Sequence, residues 1–183
     1  LDIINRSGAH LLGLINDILD ISKIEAGRVD LQIAPLDLGA LVDDLAGMMG
    51  QRAREKGLAL RLERSSRAPR HIRGDATRLR QALVNLLGNA VKFTERGTVT
   101  LRLDAEPDPR GARLRIEVED TGPGIAPEEQ ARIFDPFVQA GPPSGQQGTG
   151  LGLAITRQFV ELMGGRIGVT SQPDRKSTRL NSS

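Results

Sequence analysis

At 183 residues the chain has room for one ordinary domain and a short extra segment, since single cores typically occupy roughly 100–200 residues. It has no Cys, Trp or Tyr and only four Phe, which excludes a disulfide scaffold, a zinc knuckle and a thiol nucleophile and leaves few rings for nucleic-acid bases to stack on. The formal net charge of +2 is carried by the last ten residues, which hold three bases and one acid; the remainder is neutral, so the basicity points to no nucleic-acid partner.

A Cys-free composition suits a reducing cytosol. No apolar run approaches the roughly 18 residues that span a bilayer, and Leu1 opens in mid-helix without a signal-peptide pattern. The expectation is a cytoplasmic segment cut from a longer protein, whose parent could still be anchored in the inner membrane. The closing stretch DRKSTRLNSS resembles the in-frame translation of a sequencing-library adapter, so residues 174–183 are expected to be foreign to the fold.

From Leu1 to about Ala26, Ile4, Leu11, Ile15, Ile18 and Leu19 form a stripe of helical period, closed by Gly27. The heptad spacing of Ile4, Leu11 and Ile18 favours a bundle with a missing helix or a second chain over packing on the chain's own domain. Val29 to Leu36 alternates like a strand, Leu38 to about Lys56 reads as a helix ended by Gly57, and Leu58, Leu60 and Leu62 alternate as a strand. Asp75 is a candidate N-cap for a helix running to Thr94. Val99, Leu101 and Leu103, then Leu114, Ile116 and Val118, predict a hairpin turning through Pro107–Gly111. Pro127 with Glu128 and Glu129 opens a short helix. Gln139 to Gly148 is too polar to pack and is expected to be a mobile loop. Thr149 to Met163 predicts the last helix and Gly165 to Thr170 a strand. Helices mixed with antiparallel-leaning strands argue for an α/β (α+β) two-layer sandwich.

Three elements carry chemistry. Asn85, Asn89 and Lys92 share one face of their helix at i, i+4 and i+7, opposite Leu79, Leu83, Leu86 and Ala90. A polar face usually just meets water, but two mid-helix Asn are poor helix formers and ask for another reason. An Asn oxygen can ligate magnesium, and a nearby Lys can neutralise phosphate. Asp120 ends the hairpin's second strand and is followed by Thr121, Gly122, Pro123, Gly124 and Ile125, where glycines let a ligand approach the backbone. The Asp-Thr-Gly of aspartic proteases is the rival reading, and no second copy of it exists here. Gly148-Thr149-Gly150-Leu151-Gly152-Leu153 leads into a helix whose free amides suit phosphate. It is neither a Rossmann fingerprint nor a Walker A loop.

Together these resemble the HATPase region of sensor histidine kinases. NLLGNAVKFT (Asn85–Thr94) is similar to the N box, DTGPGI (Asp120–Ile125) to the first glycine box, FDPF (Phe134–Phe137) to the F box, and GTGLGL (Gly148–Leu153) to the second glycine box. The stretch LLGLINDILDISKIEAGRVDL resembles the second helix of the dimerisation domain and its exit. The resemblance covers about residues 1–173 and divides the chain into that helix (1–27), the ATP-binding domain (28–173) and the foreign tail (174–183).

The resemblance implies a Bergerat fold of the GHKL class, holding ATP and Mg2+ under a flexible lid. Asp120 would accept the adenine amino group, with Thr121, Gly122, Gly124 and Ile125 around the base. Asn89 would hold magnesium, while Asn85 and Lys92 would face the phosphates as the catalytic pair. Gly148, Thr149, Gly150, Leu151 and Gly152 would close the lid's far end, and Phe134 and Phe137 would anchor its near end. Related hydrolases carry a water-activating Glu where Asn85 stands; an amide is a poor base, so transfer to a histidine is implied rather than rapid hydrolysis. The phosphate would then pass to an Asp of a response regulator, with the parent acting as a bacterial two-component kinase and homodimer.

Neither His10 nor His71 has the neighbours of the family's phosphoacceptor, so the acceptor helix is expected to be absent. The family's final strand is expected to be missing too, which would leave a sheet edge open. The alternative is a catalytically silent nucleotide-binding or dimerisation module of the same fold.

Overall fold

The computed structural model describes residues 2–109, 111–139, 149–172 and 175–181. Helix α1 (Asp2–Glu25) ends where Gly27 takes φ +62°, a conformation that glycine adopts without a Cβ penalty. After it come β1 (Ala34–Asp37), α2 (Leu38–Glu55), β2 (Ala59–Arg64), β3 (His71–Gly74) and α3 (Ala76–Phe93). The hairpin β4 (Thr98–Asp108) and β5 (Gly111–Asp120) leads to α4 (Pro127–Gln130) and α5 (Gly152–Leu162). Short strands β6 (Arg166–Ile167), β7 (Thr170–Gln172) and β8 (Arg175–Asn181) complete the order.

The main sheet runs β2-β4-β5-β8-β6, with β7 on β8, and β1 pairs β3 in a separate two-stranded ribbon. Strand alternation sorts its two faces. Val99, Leu101, Leu103, Ile116 and Val118 are buried with Leu38, Val42, Leu45 and Met49 of α2 and Leu83, Leu86 and Leu87 of α3. On the other face Arg102 bridges Glu63 and Glu119 across the strands, and Arg67 pairs with Asp104. This is a two-layer α/β sandwich with one helical layer, as expected.

Several boundaries differ from expectation for local reasons. The strand anticipated over 29–36 is confined to Ala34–Asp37, because the Gln32 amide donates to Asp75 Oδ2 at 3.0 Å instead of joining a ladder. His71, expected on a connector, lies in β3 opposite Asp37. Pairing of β2 with β4 is parallel, so the sheet is mixed. Helix α5 begins at Gly152 rather than Thr149, since Gly150 at φ +71° cannot continue a right-handed helix. The strand expected over 165–170 is split into β6 and β7.

The sheet edge expected to lie open is occupied: Arg175–Asn181 forms β8 between β5 and β6. Ladder bonds are made by backbone groups, so an open edge accepts any extended segment able to present amides and carbonyls in register.

Helix α1 divides its apolar residues between two jobs. Leu11, Ile15, Ile18 and Leu19 remain between 46% and 58% exposed. Ile21 and Ile24 instead pack on Leu151, Ile155 and Phe159. Beside them Asp20 accepts from Gln81 Nε2 at 3.0 Å and pairs with Arg78, whose guanidinium lies 4.5 Å from the Phe159 ring centroid.

Asp75 holds the start of α3. Its carboxylate is 4% exposed and accepts from Thr77, Arg78 and Gln32 amides, each at 3.0 Å. Burial pushes its pKa up, but these amides and the Arg78 charge outweigh that, and the net shift is down. A depressed folded pKa stabilises the fold above the unfolded value of about 3.9 and ceases to do so as pH falls through the folded value. Asp104, held to about 2 chiefly by Arg67 and Ser65, acts with the same sign. Asp75→Asn is therefore expected to cost about 2 kcal/mol at pH 7, with the gap to wild type narrowing from pH 4 toward pH 2. Urea unfolding at both ends of that range checks it; a constant gap would show that charge is not what matters at this cap.

Candidate nucleotide site

Helix α3 crosses β4 and β5 with its apolar side down, leaving Asn85, Asn89 and Lys92 half-buried on its other side. The C-terminal carbonyls of α3 are held by a residue from another element: Lys56 Nζ donates to Val91 O at 2.8 Å, Lys92 O at 2.7 Å and Thr94 O at 3.1 Å. A cation at a helix C-terminus also suits the dipole. Lys92 Nζ stands 4.9 Å from the Phe93 ring centroid, and burial lowers its pKa.

The turn after β5 is stitched from within. Asp120 Oδ1 accepts from the Gly122 amide at 2.8 Å, and Gly124 takes φ +80°. Thr121 is exposed, and its hydroxyl donates to Arg96 O and accepts from the Thr98 amide, both at 3.0 Å. Gly97, at φ +112°, is required opposite it, because a Cβ there would collide with Thr121 Oγ1. The turn's exit is tied to β7: the Ile125 amide donates to Ser171 Oγ at 2.9 Å, and Gln130 Nε2 donates to both Ile125 O and Ser171 O.

At the third element, the Phe137 amide donates to Gly150 O at 2.9 Å. A Cβ on Gly150 would stand 2.8 Å from the Phe137 carbonyl carbon. Phe137 itself has φ +64° and is 70% exposed, whereas Phe134 is buried. Leu151 is fully buried and its amide donates to Thr149 Oγ1 at 3.1 Å, so only its backbone can meet a ligand. Asn85 Nδ2 donates to Thr156 Oγ1 at 2.8 Å, and its Oδ1 occupies the place of a Gly152 Cβ. The structure thus joins Asn85 to the Gly150–Gly152 turn and that turn to Phe137. Asp120, Thr121, Gly122, Gly124 and Ile125 form a separate turn at the end of β5. Gly148 and the loop 140–148 lie outside the described residues.

Thr156, Lys56, Gly97, Gln130 and Ser171 escaped the sequence reading. A Thr next to Ile155 within the predicted last helix was a legible signal for the first, since a mid-helix hydroxyl asks for a partner. The others work over separations that no local pattern shows.

A helical layer over a mixed sheet, with an Asn-bearing helix joined to one glycine turn and a second glycine turn at the end of a central strand, is the Bergerat arrangement of GHKL ATPases. The chain belongs to the family described as histidine kinase-, DNA gyrase B-, and HSP90-like ATPases, whose model matches residues 74–180. Within it, this chain is 40% identical over 181 residues to the signal transduction histidine-protein kinase BarA of Escherichia coli, covering 97% of this chain and 20% of that protein. It is 48% identical over 180 residues to the circadian input-output histidine kinase CikA of Synechococcus elongatus, covering 96% and 23%. The crystal structure of full-length ShkA in complex with AMPPNP aligns with a TM-score of 0.85 at 41% identity, over 99% of this chain and 37% of that one. The chain spans about a fifth of the length of these curated relatives.

Among the described residues no helix is long and apolar enough to cross a membrane, and no group of three or more His, Cys, Asp or Glu could hold a metal ion.

Proposed function

We propose that this chain binds ATP between α3 and the two glycine turns and, in its parent protein, transfers the γ-phosphate to a histidine on a dimerisation helix. The observation that carries this reading is the junction of Asn85, Gly152, Gly150 and Phe137, which brings residues of three of the four family boxes together at the start of α5. The names of the relatives support it.

Asp120 receives the adenine amino group at the end of β5, and Lys92 and the first amides of α5 face the phosphates. Mg2+ keeps most of its waters and is held through few protein ligands plus substrate phosphates; Asn89 would be its ligand on α3. When bound, the ion neutralises charge on the transferring phosphoryl group. The chain's own residues position and shield, and Asn85 does not serve as a base toward water. The parent acts as a homodimer through the exposed stripe of α1 and hands the phosphate to a response regulator. Residues 174–183 are a foreign segment, of which Arg175–Asn181 supplies the last strand.

The test is incubation with radiolabelled ATP, Mg2+ and a separately supplied dimerisation domain from a relative. Label on that domain's acceptor His, and none on this chain, is the expected result. Label on His10 or His71 would overturn the acceptor assignment. Nucleotide binding without any transfer would favour a silent binding module.

A further inference from the structure

The Asn85 side chain is held in one orientation by a residue to which no role has been attached. Thr156 lies on α5, is 1% exposed, and donates its hydroxyl proton to Gly152 O at 2.9 Å. A threonine hydroxyl has one proton, so toward Asn85 it can only accept. That forces the amide nitrogen of Asn85 onto Thr156 Oγ1, at 2.8 Å, and its oxygen against Gly152, where a Cβ would stand. A flipped amide would require the hydroxyl to leave Gly152 O and donate to the Asn85 oxygen instead. The orientation thus follows from the hydrogen-bond inventory.

We infer that Thr156 is a positioning residue for Asn85: its buried hydroxyl fixes the amide with the oxygen toward the first turn of α5, and so locks the N-box helix to the second glycine turn. This rests on the nucleotide-binding reading above. An amide held between Thr156 Oγ1 and Gly152 fixes where the first amides of α5, which face the phosphates in the proposed site, stand relative to α3. Removing the Thr156 hydroxyl frees the amide to turn and uncouples α3 from the Gly150–Gly152 turn. Valine matches threonine in shape and keeps the packing, while serine keeps the hydroxyl.

The experiment is a titration of AMPPNP with Mg2+ against wild type, Thr156→Val, Thr156→Ser, Asn85→Ala and the Thr156→Val/Asn85→Ala pair, with a melting curve for each. Thr156→Val is expected to weaken binding about tenfold, Thr156→Ser to restore it, and the valine to have no further effect once Asn85 is Ala, because the two residues act as one unit. An unchanged affinity in Thr156→Val, or additive losses in the pair, would overturn this inference while wild-type binding leaves the proposed function standing. A folded wild type that binds no nucleotide would remove that function and this inference with it.

Discussion

Asp120→Ala is expected to weaken AMPPNP binding by roughly 100-fold, the upper part of what a charge-assisted hydrogen bond contributes. Two losses combine. The carboxylate that would accept the adenine amino group is gone, and so is the acceptor of the Gly122 amide at 2.8 Å that shapes the turn. Asp120→Asn keeps one side-chain oxygen for Gly122 but replaces the other with an NH2 that donates rather than accepts, so the turn is preserved while the adenine acceptor is lost, and its affinity should fall between wild type and Ala. Isothermal titration on samples shown by circular dichroism to be folded decides the matter. Equal affinities for wild type and Asp120→Ala would place the base elsewhere.

The second large effect is expected at Gly150. At φ +71° any L-residue other than Gly is strained by roughly 1–2 kcal/mol, and here a Cβ also meets backbone, 2.8 Å from Phe137 C and 2.9 Å from its Cα. Backbone cannot rotate aside as a long side chain can. Gly150→Ala should therefore break the Phe137–Gly150 hydrogen bond and open the junction, with at least tenfold weaker nucleotide binding. Gly164 supplies the control: its φ is +79°, yet nothing lies within 4 Å of its Cβ direction. Gly164→Ala should lower the melting temperature by a few degrees, as ~1 kcal/mol does in a chain of this size, and leave binding alone. If both variants bind like wild type, contact between the F box and the second glycine box is not part of the site.

Much of the fold was legible because its signals are local. The helix from Asp75 carried its own cap, and the alternation of Val99, Leu101 and Leu103 against Leu114, Ile116 and Val118 identified a hairpin whose register now pairs Leu101 with Val118 and Leu103 with Ile116. Gly27 and Gly57 marked helix ends and take φ of +62° and +73°. What misled were places where a distant partner decides. Val29 to Ile33 alternates well enough for a strand, but Asp75 takes the Gln32 amide. Thr149 and Gly150 look like helix starters, but the Phe137 backbone holds Gly150 in the left-handed region.

For the site, the residue types and their order along the chain identified the family and nominated Asn85, Asn89, Lys92, Asp120 and the glycine turns. They did so because a phosphate-binding turn needs glycines, a magnesium ligand needs an oxygen and an adenine amino group needs an acceptor, all written in side-chain chemistry. Only the tertiary structure decided what holds those groups: Thr156 orienting Asn85, Lys56 closing α3, and Gln130 with Ser171 pinning the exit of the Asp120 turn. Such links join residues tens of positions apart, and their geometry exists only once the chain has closed on itself.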